Sequence, residues 1–120
     1  VLIKGATGTV DAKISFLPTS GGRQYDLGNV GADFRIFDAS AATTRMYFDN
    51  TGDTGIGTIT PQSKLQVAGG IQMADDTATA SAAKVGTLKY RVSGNNSYVD
   101  MCMQTGATTY AWINIVQNNW

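Results

Sequence analysis

Arg91, Asn95, Asn96 and Tyr98 cluster around a single glycine-containing turn, and Tyr110 and Trp120 follow them in the last part of the chain. A saccharide presents flat C–H faces and many hydroxyls, so a site for one needs an apolar ring beside amide, hydroxyl or charged groups. This neighbourhood offers that mixture, and we take these six residues as the candidate recognition site. The competing reading is that the rings are ordinary cross-strand aromatics of hairpins. Trp112, next to Ile113 and close to Ile115, is better read as a core residue of a strand.

Other spacings suggest chemistry that their contexts do not support. The run Gly52-Asp53-Thr54-Gly55-Ile56-Gly57-Thr58 is rich in glycine, but no Lys-Ser/Thr pair follows it and no strand-helix-strand context surrounds it, so a phosphate loop is not expected. Ser63 and Lys64 are adjacent, and adjacent residues on a strand point to opposite faces, where they cannot act as a nucleophile and its base. Asp75-Asp76 offers oxygens to a hard cation if three copies converge on an axis, but capping of a turn or helix is the simpler role.

The chain has neither His nor Glu, which excludes imidazole catalysis, His-ligated zinc and a Ser-His-Asp or Cys-His arrangement within it. No Asp pair stands out as a cleft acid and base, so no enzymatic activity and no cofactor are expected. Nine Lys and Arg balance nine Asp, with no basic cluster, so nucleic-acid binding lacks its electrostatic footprint. The single cysteine, Cys102, has no internal partner for a disulfide. Its strand neighbours Val99, Met101 and Met103 make the better inward set by apolar count. Cys102 then points the other way and is expected to pack against a neighbouring element or subunit. No apolar run approaches the ~18 residues of a membrane span, so membrane insertion is not expected. The chain opens on Val1, which suggests a piece of a longer protein.

These candidates must be positioned by β structure. Period-two alternation recurs in short bursts: Ile14 with Phe16, Phe34 with Ile36, Met46 with Phe48, Leu65 with Val67, Leu88 with Tyr90 and Val92, and Ile113 with Ile115. Between the bursts lie Ser20-Gly21-Gly22, Gly28-Asn29-Val30-Gly31, Asn50-Thr51-Gly52-Asp53, Gly94-Asn95-Asn96 and Thr105-Gly106-Ala107, residues that tolerate tight turns. The absence of Glu also argues against amphipathic helices. We therefore expect an all-β chain of short antiparallel strands with at most one short helical turn, in the Ala-rich stretch 76–84. The expected organisation is an N-terminal β module (1–52), a glycine-rich connector with one strand (53–70), a short linker or helical turn (71–85) and a compact C-terminal β module (86–120).

Charged residues are 15% of the chain against the usual ~25%, and Gly, Ala, Thr, Ser and Asn make up nearly half of it. Val, Ile, Leu and Phe amount to about a fifth, close to the rough floor for folded chains. So thin a core implies that part of the burial is intermolecular.

The segment from Asn50 to Gly70, which contains Gly55-Ile56-Gly57-Thr58, Pro61 and Lys64-Leu65-Gln66-Val67-Ala68-Gly69, resembles one found in bacteriophage tail fibres and bacterial trimeric fibre adhesins. That family's pattern is G-x-V-G-I-G-T, then x-x-P, then K-L-x-V-x-G, from which this chain departs at Thr54. The preceding 28–38 and 45–49 resemble the β module that usually sits before it. Residues 86–91, Gly86-Thr87-Leu88-Lys89-Tyr90-Arg91, through 110–115 are similar to small fibre-end modules.

The resemblance implies a homotrimer in an elongated, intertwined extracellular fibre on a virion tail or bacterial cell surface, with its free end meeting a receptor on a host or prey cell. Small residues such as Gly55, Gly57 and Ala68 would let backbones approach near the axis. Some members end in a self-cleaving chaperone, whereas here only Gln117-Asn118-Asn119-Trp120 follows the last expected strand. Two functions are therefore expected in competition: a glycan-binding distal module, or a structural shaft or trimerisation segment.

Overall fold

The computed structural model describes residues 12–118. Its elements are β1 (Lys13–Phe16), β2 (Tyr25–Val30), β3 (Asp33–Asp38), β4 (Thr43–Phe48), β5 (Thr54–Ile56), β6 (Leu65–Val67), a 3-10 turn (Ala82–Lys84), β7 (Leu88–Ser93), β8 (Asn96–Gln104) and β9 (Tyr110–Asn118). The chain is all-β, and the 3-10 turn is the one helical element among the described residues. It forms two units, divided between Ile71 and Gln72.

In the first unit, six strands make one sheet in chain order, β1-β2-β3-β4-β5-β6. The first five pair antiparallel in succession. Gly31 opens the two-residue β2–β3 turn with a φ of 60°, which a primed hairpin turn demands and a side chain resists. The register places Ile14, Leu27, Ile36, Met46, Ile56 and Val67 opposite one another in turn, so one apolar row crosses every strand. Beside it on the same face stand Phe16 against Tyr25, and Phe34 against Phe48, whose ring centroids lie 5.9 Å apart. The other face carries Lys13, Asp26, Arg35, Phe37, Thr44 and Tyr47.

That second face is held by polar pairs. Lys13 Nζ lies 2.6 Å from Asp26, and the Tyr47 hydroxyl donates to Asp33 at 2.5 Å. At the end of β3, opposite Tyr25 and so in register with the apolar face, the fully buried Asp38 accepts from Arg23 and Arg45, each at 2.6 Å, and from the Ala41 backbone N–H at 3.1 Å. One carboxylate thus ties the β3–β4 turn to the segment before β2. Arg45 is the extra residue of a bulge between the Ile36 and Phe37 registers.

The stretch 53–70 differs from the expected connector. It holds two strands rather than one, and both join the first sheet. The antiparallel pairing expected holds for the other strand pairs described, and the β5–β6 pair departs from it by being parallel. Its crossover, residues 57–64, runs close over the backbone: a Cβ on Gly55 would lie 2.3 Å from the Thr58 carbonyl oxygen, so only glycine fits. Gly57 takes a φ of 72° and donates its N–H to the Arg45 carbonyl. The Ala68 N–H donates to the Ile56 carbonyl. These small residues, expected to serve an axis, already have reasons within one chain.

In the second unit, β7-β8-β9 form an antiparallel meander. Leu88, Tyr90 and Val92 share a face with Val99, Met101 and Met103 of β8 and with Ala111, Ile113 and Val116 of β9. The alternation suggested that Ile113 and Ile115 would share this face. A bulge leaves Ile115 without a cross-strand partner and puts Val116 opposite Val99 instead. The opposite face carries Lys89, Arg91, Tyr98, Asp100, Cys102, Trp112 and Asn114.

Residues 74–87 pack on this opposite face. Tyr90 N–H donates to Ala74, Trp112 Nε1 to Ala78 at 2.9 Å, and Lys89 Nζ to the Asp76 carbonyl at 2.9 Å. Lys89 also sits 4.5 Å above the Trp112 ring. Cys102 lies beneath this covering segment, fully buried and on the face opposite Val99, Met101 and Met103.

Burial among the described residues falls mostly on charged groups. Among the described residues, Cys102 is the one buried hydrophobic side chain, while Asp26, Asp38, Lys89 and Asp100 are buried and paired. Ile14, Phe16, Phe34, Ile56 and Leu65 of the first sheet, and Leu88, Val92 and Ile113 of the second, are exposed.

Candidate functional site

The turn joining β7 to β8 has two residues, with Gly94 at a φ of 61° and Asn95 exposed at its tip. The flanking pairs are Ser93 with Asn96 and Arg91 with Tyr98. Because the paired residues lie on one face, the guanidinium of Arg91 lies over the Tyr98 ring, 3.9 Å from its centroid. Arg91 Nε donates to Asp100 at 2.5 Å, and Asn114 Nδ2 donates to the same carboxylate at 3.2 Å. Asn96 Nδ2 reaches the Tyr98 hydroxyl at 3.4 Å.

The electrostatics follow from that geometry. The Arg91 hydrogen bond is the largest influence on Asp100 and holds its carboxyl below the usual range, against a burial effect of opposite sign. Arg91 is correspondingly raised, first by the bond to Asp100. Arg91, Asn96 and Tyr98 are therefore brought together, with Asn95 beside them, as a cation-on-ring platform backed by a buried carboxylate. On the other face of the hairpin, Tyr90 and Ser97 share a hydroxyl hydrogen bond of 2.8 Å.

Tyr110 is not part of this group. It pairs with Gln104 at the far end of β8, six residues from Tyr98 and so roughly 20 Å along the strand. Trp120 lies outside the described residues. Trp112 is half-buried between Lys89 and Ala78.

Asp76 accepts from the Ala78 backbone N–H at 3.0 Å and from Lys84 at 2.5 Å, while Asp75 lies 3.3 Å from Lys89. The acidic pair thus fixes the covering segment. It does not cap the 3-10 turn, whose first flanking residue is Ser81. Among the described residues no group of three or more His, Cys, Asp or Glu is arranged to hold a metal ion, and no helix is long and apolar enough to cross a membrane.

Sequence reasoning found the platform residues but not Asp100, the group that orients Arg91. Its signal was the position of Asp100 on the same strand face as Tyr98, two residues on. The uncovered apolar row was also missed as a row, because it depends on the register between strands. No protein-family model matches the chain, and no curated protein matches it.

Proposed function

We propose that the chain is the distal segment of a trimeric extracellular fibre that adheres to a host or prey cell surface by binding a glycan. The observation that carries the self-association is the apolar row from Ile14 to Val67, which among the described residues is exposed at Ile14 and Ile56 and half-exposed between them, with exposed Phe16, Phe34, Phe48 and Leu65 beside it. Exposed apolar surface costs about 25 cal/mol per Å² in water, and a closed ring of identical chains lets each one cover it with the same face of its neighbours. A sheet whose β1 and β6 edges pair with no further strand among the described residues gains a second benefit, since self-association can shield edges that invite aggregation.

Recognition falls to the platform of Arg91, Asn96 and Tyr98 and to the exposed Asn95. Loops and edges on a rigid sheet suit this role, and three copies make weak sites sufficient by raising the local concentration. The test pairs light scattering, which should give three chain masses, with binding of the purified oligomer to a glycan array and to cells. Tyr98→Ala and Asn96→Ala should abolish binding and leave the oligomer mass unchanged.

One observation favours the alternative of a structural shaft: the platform is satisfied internally. Arg91 is engaged by Asp100 and covers a face of Tyr98 that a sugar would otherwise use. A trimer that binds no glycan or cell establishes the shaft reading, and one whose two variants bind normally removes the platform as the site.

A further inference from the structure

Before the chain of the second unit enters β7, residues 72–85 cross the polar face of the meander β7-β8-β9. We propose that this segment is a force-releasable strap: a pull along the chain peels it away first, while the sheet beneath it holds.

The composition of the strap makes it a weakly held cover. From Ala74 to Lys84 it reads Ala-Asp-Asp-Thr-Ala-Thr-Ala-Ser-Ala-Ala-Lys, with no large apolar residue. Adhesion by burial scales with apolar area, which alanine and threonine supply sparingly, and stretches with few buried apolar contacts are the first to open in a fold. Separate polar contacts hold it instead. The Ala74 carbonyl accepts from the Tyr90 N–H at 3.1 Å, and the Ala78 carbonyl from Trp112 Nε1 at 2.9 Å. Lys89 Nζ lies 3.3 Å from Asp75 and donates to the Asp76 carbonyl at 2.9 Å. Within the strap, Lys84 pairs with the Asp76 carboxylate at 2.5 Å.

Topology decides the order of failure. Contacts of the strap follow one another along the chain from Gln72, so tension arriving there loads them one at a time, and each hydrogen bond is lost over a short displacement. The sheet is loaded differently. Because β7 and β9 both run antiparallel to β8, the chain enters at Leu88, opposite Met101, and leaves at Asn118, opposite Ser97. A pull between these points runs along the strands in opposite directions and across the ladder bonds, which lie perpendicular to the strands and must strain together. Contacts that break singly yield at a lower load than contacts that break together. Release also uncovers Cys102, fully buried under the strap, and so carries its own chemical reporter.

The strap is part of the fold of the second unit, so the inference stands whether or not the Arg91–Tyr98 platform binds a glycan. The intact chain would be held between handles attached at Ile71→Cys and Gln117→Cys, both exposed positions, and stretched singly in an optical trap. Two steps are expected. The first, at the lower force, releases residues 72–85 and adds at most about 48 Å at ~3.4 Å per residue, and the second adds up to about 110 Å from the sheet. Trp112→Phe keeps a ring but removes the donor to Ala78, and Lys84→Ala removes the partner of Asp76. Each should shorten the lifetime of the strapped state at constant force about fivefold, the loss of one ordinary hydrogen bond, and leave the lifetime of the sheet unchanged. Chains held between the two steps should react with a bulky thiol reagent at Cys102 and then fail to recover the first step on relaxation. The proposal is overturned by a single step that releases strap and sheet together, by a first step of the length of the sheet, by first-step lifetimes in both variants equal to the parent's, or by reaction of Cys102 that is as fast before the first step as after it.

Discussion

Replacing Phe34 by alanine tests whether the uncovered apolar face is where copies of the chain meet. Phe34 stands next to the central row and is 44% exposed in the single chain. Taking roughly 200 Å² for a whole Phe, about 90 Å² is open to a partner, worth about 2 kcal/mol at about 25 cal/mol per Å². Three protomers then lose about 6 kcal/mol, or about four decades in the constant for three chains forming one trimer. The midpoint concentration of such an equilibrium varies as the square root of that constant, so it should rise by about two decades. Sedimentation equilibrium over a concentration series reads this directly. Phe34 also packs on Phe48 within the chain, so some loss of protomer stability accompanies the change and is measured separately by denaturant unfolding. Gln66→Ala, on the other face, should leave the midpoint within a few-fold. If the parent is trimeric and Phe34→Ala leaves its midpoint unmoved, the apolar row is not the contact. A parent that stays a folded monomer at micromolar concentration removes the trimer altogether.

Acid should destabilise the protein in a defined window. Lys13 first, then Gln24 and Ser15, hold the Asp26 carboxyl at about 2 instead of 3.8, and Asp38 and Asp100 are lowered chiefly by Arg45 and by Arg91. A carboxyl depressed on folding adds stability that is complete above its unfolded value and lost as pH falls through its folded one. Unfolding midpoints should therefore be flat above about pH 5 and drop between about pH 4 and pH 2; a flat profile down to pH 2 contradicts the ion pairs. Gly55→Ala forces a Cβ to within 2.3 Å of the Thr58 carbonyl oxygen, a backbone atom, and should cost about 1–3 kcal/mol or more in denaturant unfolding; an unchanged midpoint would show that the crossover is not tight. Cys102 should resist a bulky thiol reagent in the native protein and react with one equivalent after unfolding, whereas rapid native labelling would place it at the surface.

The all-β character was legible because alternation needs only neighbouring residues. Phe34 with Ile36, Met46 with Phe48 and Leu88 with Tyr90 and Val92 each share a face of one strand as their spacing indicates. What failed was whatever depends on pairing at a distance. The bulge at Ile115 breaks a face that the sequence presents as regular, and it exists because β8 and β9 shift register between Val99 and Asp100. The stretch 53–70 reads as a connector with one strand because Leu65 and Val67 alternate, whereas β5, Thr54-Gly55-Ile56, offers a single large apolar residue and so no period. Its glycines are ambiguous for the same reason: close approach to an axis and close approach to Thr58 select the same residue.

For the site, the residue types carried the chemistry and the sheet decided which of them meet. Arg91 and Tyr98 were legible as neighbours because a tight Gly94 turn brings the flanking residues into pairs. Tyr110 looked equivalent by type, yet the length of β8 carries it to the far end of the sheet. Asp100 went unnoticed because a lone Asp in a strand gives no signal of its own; only its bond to Arg91 gives it a role. The same argument bears on the apolar row. Each strand contributes one unremarkable Ile, Leu, Met or Val, and only the register aligns them across six strands. A chain whose apolar residues are few and gather on one face of each sheet leaves several of them exposed among the described residues, and that is the surface the Phe34→Ala experiment probes.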